Sequence, residues 1–314
     1  MEAPPAWCNT RSQRGGRRPR RCLQLSQQRG DAMRTGSVTS SDGTPIFYRD
    51  RGLEELPAIV MIHGYLQNSL SWQFQIEDDD LGDAFRLVAI DLRGHGRSGR
   101  PEAPEAYLEG RRWADDVAAV LDGLALPRAV LAGWSYGGYV IADYLRHHGT
   151  GRLAGIAMVG STLHLGGEPA MRLSTPEGAA MFQGLVSGDV ARNVPALERF
   201  ARALTAEPLP DHLYYEFLGY GACVPPQARL HMLRRVVDNT DVAAACHLPA
   251  WVPHGDADGI IRFAAAEQMA ATFPQVRLSA FQGVGHSPFV EDVDRFNREL
   301  FAFAVSAFEA ASLA

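Results

Sequence analysis

Ser135 lies in the run Gly133, Trp134, Ser135, Tyr136, Gly137, Gly138, after an apolar stretch at 128–132 and before a helix-like segment at 139–148. A serine hydroxyl is a weak nucleophile. It attacks a carbonyl only when held clear of its surroundings, beside a base and near donors for the developing oxyanion. A sharp turn from strand to helix gives that exposure, and glycines at 133 and 137 leave room for the backbone to fold back on itself. The spacing predicts a nucleophile elbow with Ser135 at its tip, in a strained backbone conformation that the surrounding structure enforces.

His286 is the candidate base. It sits in the run Gly283, Val284, Gly285, His286, Ser287, directly after a strand-like segment at 276–281, where a mobile but aimed imidazole can move a proton. An acid is needed to fix its tautomer and stabilise the imidazolium. Asp258 and Asp256 compete for that role, because both follow the strand-like segment at 249–254. Only one can hold the histidine, and the other is expected to tie its own turn through backbone groups. The backbone N–H groups of Tyr136, opening the elbow helix, and of Tyr65, after His63 and Gly64, are placed to receive an oxyanion.

Composition narrows the chemistry. The 314 residues carry a net charge of −6 and 46% apolar residues, enough for a real core and a soluble surface, with no sign of an anionic partner. Four scattered cysteines include no CxxC pair, which argues against disulfides and thiolate zinc and for a reducing, cytoplasmic setting. The chain contains no lysine. That excludes a lysine Schiff base, a Walker lysine and a kinase lysine. His147 and His148 have no third ligand at metal spacing and are expected as solvated helix-end residues. No metal and no cofactor is called for, and no window approaches the length of a membrane span.

The elements that must position these residues alternate. A hairpin signal at 40–44 separates short strands at 37–39 and 45–48. Continuous apolar runs at 57–62, 86–90 and 154–159 suit strands buried on both faces. Asn68 or Ser69 can cap a short helix, and Trp113, Val117, Val120, Leu121 and Leu124 recur at helical spacing. The turn from Asp91 to Ser98 is expected to be structural, its Asp and Arg side chains satisfying backbone groups. Helix 263–272, strand 276–281 and a last helix opened by Pro288 close the pattern. Pro253 lacks a ladder donor and predicts a bulge or an early strand end. The fold class is thus α/β: a doubly wound, mostly parallel sheet with ligands at the carboxyl ends of its strands.

The rhythm breaks at 163–245, read as an inserted helical cap on a core of 35–162 and 246–314. Its apolar side chains, among them Met171, Met181, Phe182, Phe200, Phe217 and Tyr220, are expected mostly to pack the cap, with a few lining a pocket above Ser135. Residues 1–34 are arginine-rich without apolar periodicity and are read as a disordered extension, ahead of a basic arm or a transit peptide; Met33 is an alternative start.

From about Ser37 onward the chain resembles the α/β hydrolase superfamily, within the branch of small esterases and cofactor-independent haloperoxidases or perhydrolases. The resemblance rests on His63 and Gly64, the DLRGHGRS turn, GWSYGG, HGDAD and GHS. It implies Ser135 as nucleophile, Asp258 as acid, His286 as base, and Tyr65 and Tyr136 as oxyanion donors, and the chain order Ser, Asp, His agrees with it. Relatives that cleave haloalkanes or epoxides carry an aspartate where this chain has Ser135. The expected function is hydrolysis of carboxylic esters or lactones of small to medium apolar substrates. Halogenation through a peracid, carbon–carbon bond hydrolysis and acyl transfer use the same parts, and a low-turnover receptor is the reading from another class. The expected partner is a small acyl substrate, not a nucleic acid, and no oligomeric state follows.

Overall fold

The computed structural model describes residues 32–313. The strands are β1 (Arg34–Thr39), β2 (Pro45–Arg51), β3 (Ala58–Ile62), β4 (Arg86–Ile90), β5 (Ala129–Trp134), β6 (Leu153–Val159), β7 (His164–Leu165), β8 (Val237–Asp238), β9 (Ala250–Gly255) and β10 (Val276–Phe281). Eight of them form one sheet in the order β1-β2-β4-β3-β5-β6-β9-β10. β1 and β2 are antiparallel, and from β4 onward the neighbours run parallel. Every residue of β3, β4, β5, β6 and β9 is buried, as the continuous apolar runs require of strands covered on both faces. β1 alternates half-buried with exposed, the pattern of an edge strand.

The order reverses at β3, which has β4 on one side and β5 on the other. A crevice opens at such a switch point, outside the carboxyl ends of the two strands. His63 and Ser135 stand at those ends. The helix Gly110–Gly123 buries Trp113, Val117, Val120 and Leu121 beneath the sheet, and the helix Val293–Leu313 buries Phe296, Leu300 and Phe303. Each such side chain contributes about 1.5–3 kcal/mol through burial. Asn68 caps the short turn Ser69–Trp72, its carboxamide oxygen accepting from Leu70 N at 2.8 Å.

The secondary-structure elements differ from the sequence expectations at three places. Arg34, placed in the extension, opens β1, its guanidinium bonded to Asp50 Oδ2 at 3.1 Å and to the Gly52 carbonyl at 2.8 Å; residues 1–31 lie outside the described residues. Pro253 neither bulges nor ends β9, which stays in register with β10 through Gly255. Its carbonyl accepts from Gly160 N at 3.0 Å, so its missing N–H faces β6, and pairing with β6 stops at Trp251. Between β6 and β9 the chain is helical, from Gly167–Leu173 to Thr240–Ala245, but it also holds the antiparallel pair β7 and β8. Strands of two residues carry no readable period. No helix among the described residues is long and apolar enough to cross a membrane.

Candidate active site

Ser135 has φ 52° and ψ −111°, a left-handed backbone that costs a non-glycine residue about 1–3 kcal/mol. The surroundings hold it there. Its N–H donates to the Val159 carbonyl at 2.8 Å, and its carbonyl accepts from Ser161 Oγ at 2.9 Å. A side chain at position 137 would overlap the Ile62 carbonyl, so the elbow helix Tyr136–His148 can pass β3 only as glycine. The loop after β3 also passes close by. A Cβ on Gly64 would lie 3.1 Å from Ser135 Cβ and 3.3 Å from the Trp134 carbonyl, so the backbone leading into Tyr65 passes beside the serine at Gly64. Tyr136 is the first residue of its helix, so its N–H has no carbonyl one turn back.

His63 fixes the Tyr65 loop from behind. Its Nε2 accepts from Leu92 N at 2.9 Å, so its Nδ1 carries the proton and donates to the Gly64 carbonyl at 2.7 Å. Burial brings its pKa down to about 4, which keeps it neutral. The turn that supplies Leu92 is itself braced: Asp91 accepts from Ser69 N and Arg97 N, each at 2.7 Å, and Arg93 makes a bidentate pair with Asp116.

Asp258 and His286 meet directly. His286 Nδ1 lies 2.7 Å from Asp258 Oδ2, and the acid's Oδ1 accepts from Ile260 N at 2.8 Å and Ile261 N at 2.9 Å. His254, not singled out in the sequence, places Nε2 at 3.2 Å from the same Oδ2 while donating to the Ile261 carbonyl at 3.1 Å. Burial alone would raise the Asp258 pKa; the bonds and charge of His286 and His254 overcome it and hold the carboxyl well below the usual carboxylate range. An ionised carboxylate only accepts, so His286 Nδ1 carries a proton and Nε2 is free to take one. Asp256 is exposed and accepts from Gly283 N at 2.6 Å, bracing the turn that leads to His286.

The His286 loop is packed rather than mobile. The histidine is 1% exposed, its carbonyl accepts from Trp134 Nε1 at 2.9 Å, and its ring lies 5.7 Å from that of Trp134. Ser135, His286, Tyr65 and Tyr136 border one cavity of about 330 Å³, with Asp258 behind His286. Its walls are mostly apolar: Phe182, Phe200, Met171 and Leu173 from the inserted segment, Ile260 and Ile261 from the acid loop. Tyr65 lies 6.1 Å from Phe200 and 6.4 Å from Phe182, ring to ring. Met181 and Phe217 pack the segment instead. His148 is exposed at the end of the elbow helix, as expected, and pairs through Nε2 with Asp115 Oδ1 at 2.8 Å.

The inserted segment is tied to the elbow helix by a buried ion pair. Arg235 donates to both oxygens of Asp143, at 2.6 and 2.8 Å, and to Tyr136 Oη at 3.2 Å; the paired side chains are 2% and 4% exposed. Removing one partner leaves an uncompensated buried charge, so Arg235→Met is expected to cost about 3–5 kcal/mol. The double variant Arg235→Met, Asp143→Leu should recover most of that. Urea unfolding midpoints check both, and an unchanged midpoint in the single variant would show that the pair is solvated.

The sequence matches the family described as alpha/beta hydrolase fold over residues 57–293. It is 29% identical over 284 residues to a non-heme haloperoxidase of Rhodococcus erythropolis, covering 86% of this chain and 99% of that one. It is 26% identical over 290 residues to the bifunctional esterase/perhydrolase DCH of Acinetobacter calcoaceticus, covering 85% and 99%. Among solved structures, the esterase RhEst1 from Rhodococcus sp. ECU1013 superposes with a TM-score of 0.82 at 35% identity, covering 87% of this chain and 99% of that one.

Proposed function

The chain belongs to the α/β hydrolase family and is an enzyme of carboxylic ester hydrolase type, and from that premise we propose that it cleaves esters or lactones of small to medium apolar substrates through a Ser135, His286, Asp258 triad. The observation that carries the reading is the 2.7 Å bond from His286 Nδ1 to Asp258, with His286 and the strained Ser135 on one cavity. Ser135 Oγ attacks the carbonyl carbon and its proton passes to His286 Nε2. The oxyanion is received by the N–H groups of Tyr65 and Tyr136. The imidazolium then protonates the leaving alkoxide. Water, deprotonated by His286, attacks the acyl-enzyme, and the carboxylic acid leaves with Ser135 restored.

Residues 163–245 act as a cap over this site, and the apolar wall of Phe182, Phe200 and Ile260 selects an apolar acyl or aryl group. Hydrolysis of p-nitrophenyl esters from acetyl to decanoyl tests the reading. We expect a stopped-flow burst, steady turnover and a chain-length optimum. No turnover at any length in folded protein would overturn it.

A second reading is favoured by the names of two relatives, a haloperoxidase and an esterase/perhydrolase. If hydrogen peroxide replaces water at the acyl-enzyme, the product is a peracid. Peracid release in the presence of acetate or a p-nitrophenyl ester and peroxide distinguishes it from plain hydrolysis.

A further inference from the structure

Glu291 closes the short helix Pro288–Glu291 that follows the candidate base. Its two oxygens go to different parts of the chain. Oε1 accepts from Gly285 N at 2.9 Å, the residue before His286, and Oε2 accepts from Ala206 N at 2.8 Å, in the inserted segment. Ala206 belongs to the turn that ends the helix Val190–Ala203, closed by Thr205 Oγ1 donating to the Glu207 carbonyl at 2.7 Å. That same helix supplies Phe200 to the cavity wall.

The two backbones that Glu291 bridges are also in direct contact. A Cβ on Gly285 would overlap Ala206 N and lie 2.7 Å from the Thr205 carbonyl carbon and 2.9 Å from its Cα. Only glycine lets the turn of the inserted segment rest on the loop that carries His286. Burial pushes the Glu291 carboxyl up to about 7, and the N–H donors of Ala206 and Gly285 pull against that rise. A partly buried carboxyl group is accommodated here because both of its oxygens have backbone donors.

We propose that Glu291 is a positioning residue: it clamps the turn at Ala206 to the loop at Gly285, so that the helix bearing Phe200 and the base His286 are set as one unit. The proposal rests on reading His286 as the base. Glu291 touches neither substrate nor reacting atoms. It acts by fixing the backbone one residue before His286, where a displacement on the order of 1 Å can cost up to about 100-fold in rate.

The test is Glu291→Gln, which keeps the size of the side chain but turns one acceptor into an N–H₂ donor facing an N–H. Amide hydrogen exchange is measured in the full chain for peptides spanning 204–207 and 283–286. Exchange is expected to rise about 10-fold or more in the peptide whose N–H then faces the N–H₂, and by less in the other, which keeps a carbonyl oxygen, while exchange in β5 and β6 stays unchanged. With a p-nitrophenyl ester, kcat is expected to fall about 10- to 100-fold with KM changed by less than about 3-fold, because Glu291 bonds directly to the loop of His286, whereas Phe200 lies further back along its helix from Ala206. Glu291→Asp keeps the charge on a shorter arm that reaches one partner only, and it should recover protection at one of the two peptides and part of kcat. It also serves where the glutamine variant fails to fold.

Unchanged exchange at both peptides would overturn the clamp. Raised exchange with unchanged kcat would overturn the positioning role. The exchange measurement needs no substrate, so it stands or fails separately from the esterase reading, which Ser135→Ala tests.

Discussion

Ser135→Ala is expected to lower ester turnover by about 10⁴-fold or more and to remove the burst of released alcohol, because in the proposed mechanism Ser135 Oγ is the atom that forms the acyl-enzyme. What remains is the acceleration supplied by oxyanion donors and binding alone. The fold should be unaffected, since the bonds that hold this residue, to the Val159 carbonyl and from Ser161 Oγ, use its backbone. Alanine keeps a Cβ at φ 52° and so keeps the strain. Glycine does not. Ser135→Gly should be equally inactive yet about 1 kcal/mol more stable than Ser135→Ala, because relief of about 1–3 kcal/mol of strain exceeds the roughly 0.5–1 kcal/mol of extra entropy that glycine loses on folding. Thermal midpoints of the two inactive proteins measure that difference. Turnover unchanged in the alanine protein would show that the nucleophile is another residue, and a glycine protein less stable than the alanine one would show that the elbow stores no strain.

The parts of this site that could be read in the sequence are those with local causes. A strand buried on both faces has to be a continuous apolar run, so β3, β4 and β6 were visible as such. The elbow was visible because a turn that tight needs glycine on both sides of Ser135. The split between Asp256 and Asp258 has no such local cause: both follow β9, the family resemblance alone favours Asp258, and the three-dimensional path puts the first in solvent and the second under His286. The same holds for the ties that set the site's position. Arg235 meets Asp143 across 92 residues and Glu291 meets Ala206 across 85, and neither partner's neighbourhood hints at the other. In the sequence Trp134 is one member of the elbow run. Its indole N–H proves to hold the base loop, replacing the mobile loop expected around His286 with a packed one. For Pro253 the sequence offers only the rule that a central strand needs every donor. The rule held only on the β6 side, where the ladder stops, and β10 pairs past it without a break.

Asp258→Asn is expected to cost about 10⁴-fold in kcat, and Asp256→Asn less than about 10-fold. In Asp258 the oxygen Oδ1 already takes two backbone N–H groups, from Ile260 and Ile261. An asparagine would keep its carbonyl there and turn its N–H₂ toward His286. A donor facing Nδ1 moves the ring proton to Nε2, which then points at the serine and cannot accept its proton. At Asp256 the single partner is Gly283 N, and an asparagine carbonyl accepts that bond as the carboxylate did. The pH dependence separates the two further. The Asp258 carboxyl is held well below the usual range, so it stays ionised through neutral and mildly acidic pH. A fall in ester turnover on that side therefore belongs to another group, and Asp256→Asn should leave its position unchanged. Steady-state kinetics of both variants across pH 5–9 decide the assignment (roughly the range where unperturbed histidine titrates). Equal losses would mean that His286 is held by both acids or by neither, and a larger loss at Asp256 would transfer the role to it.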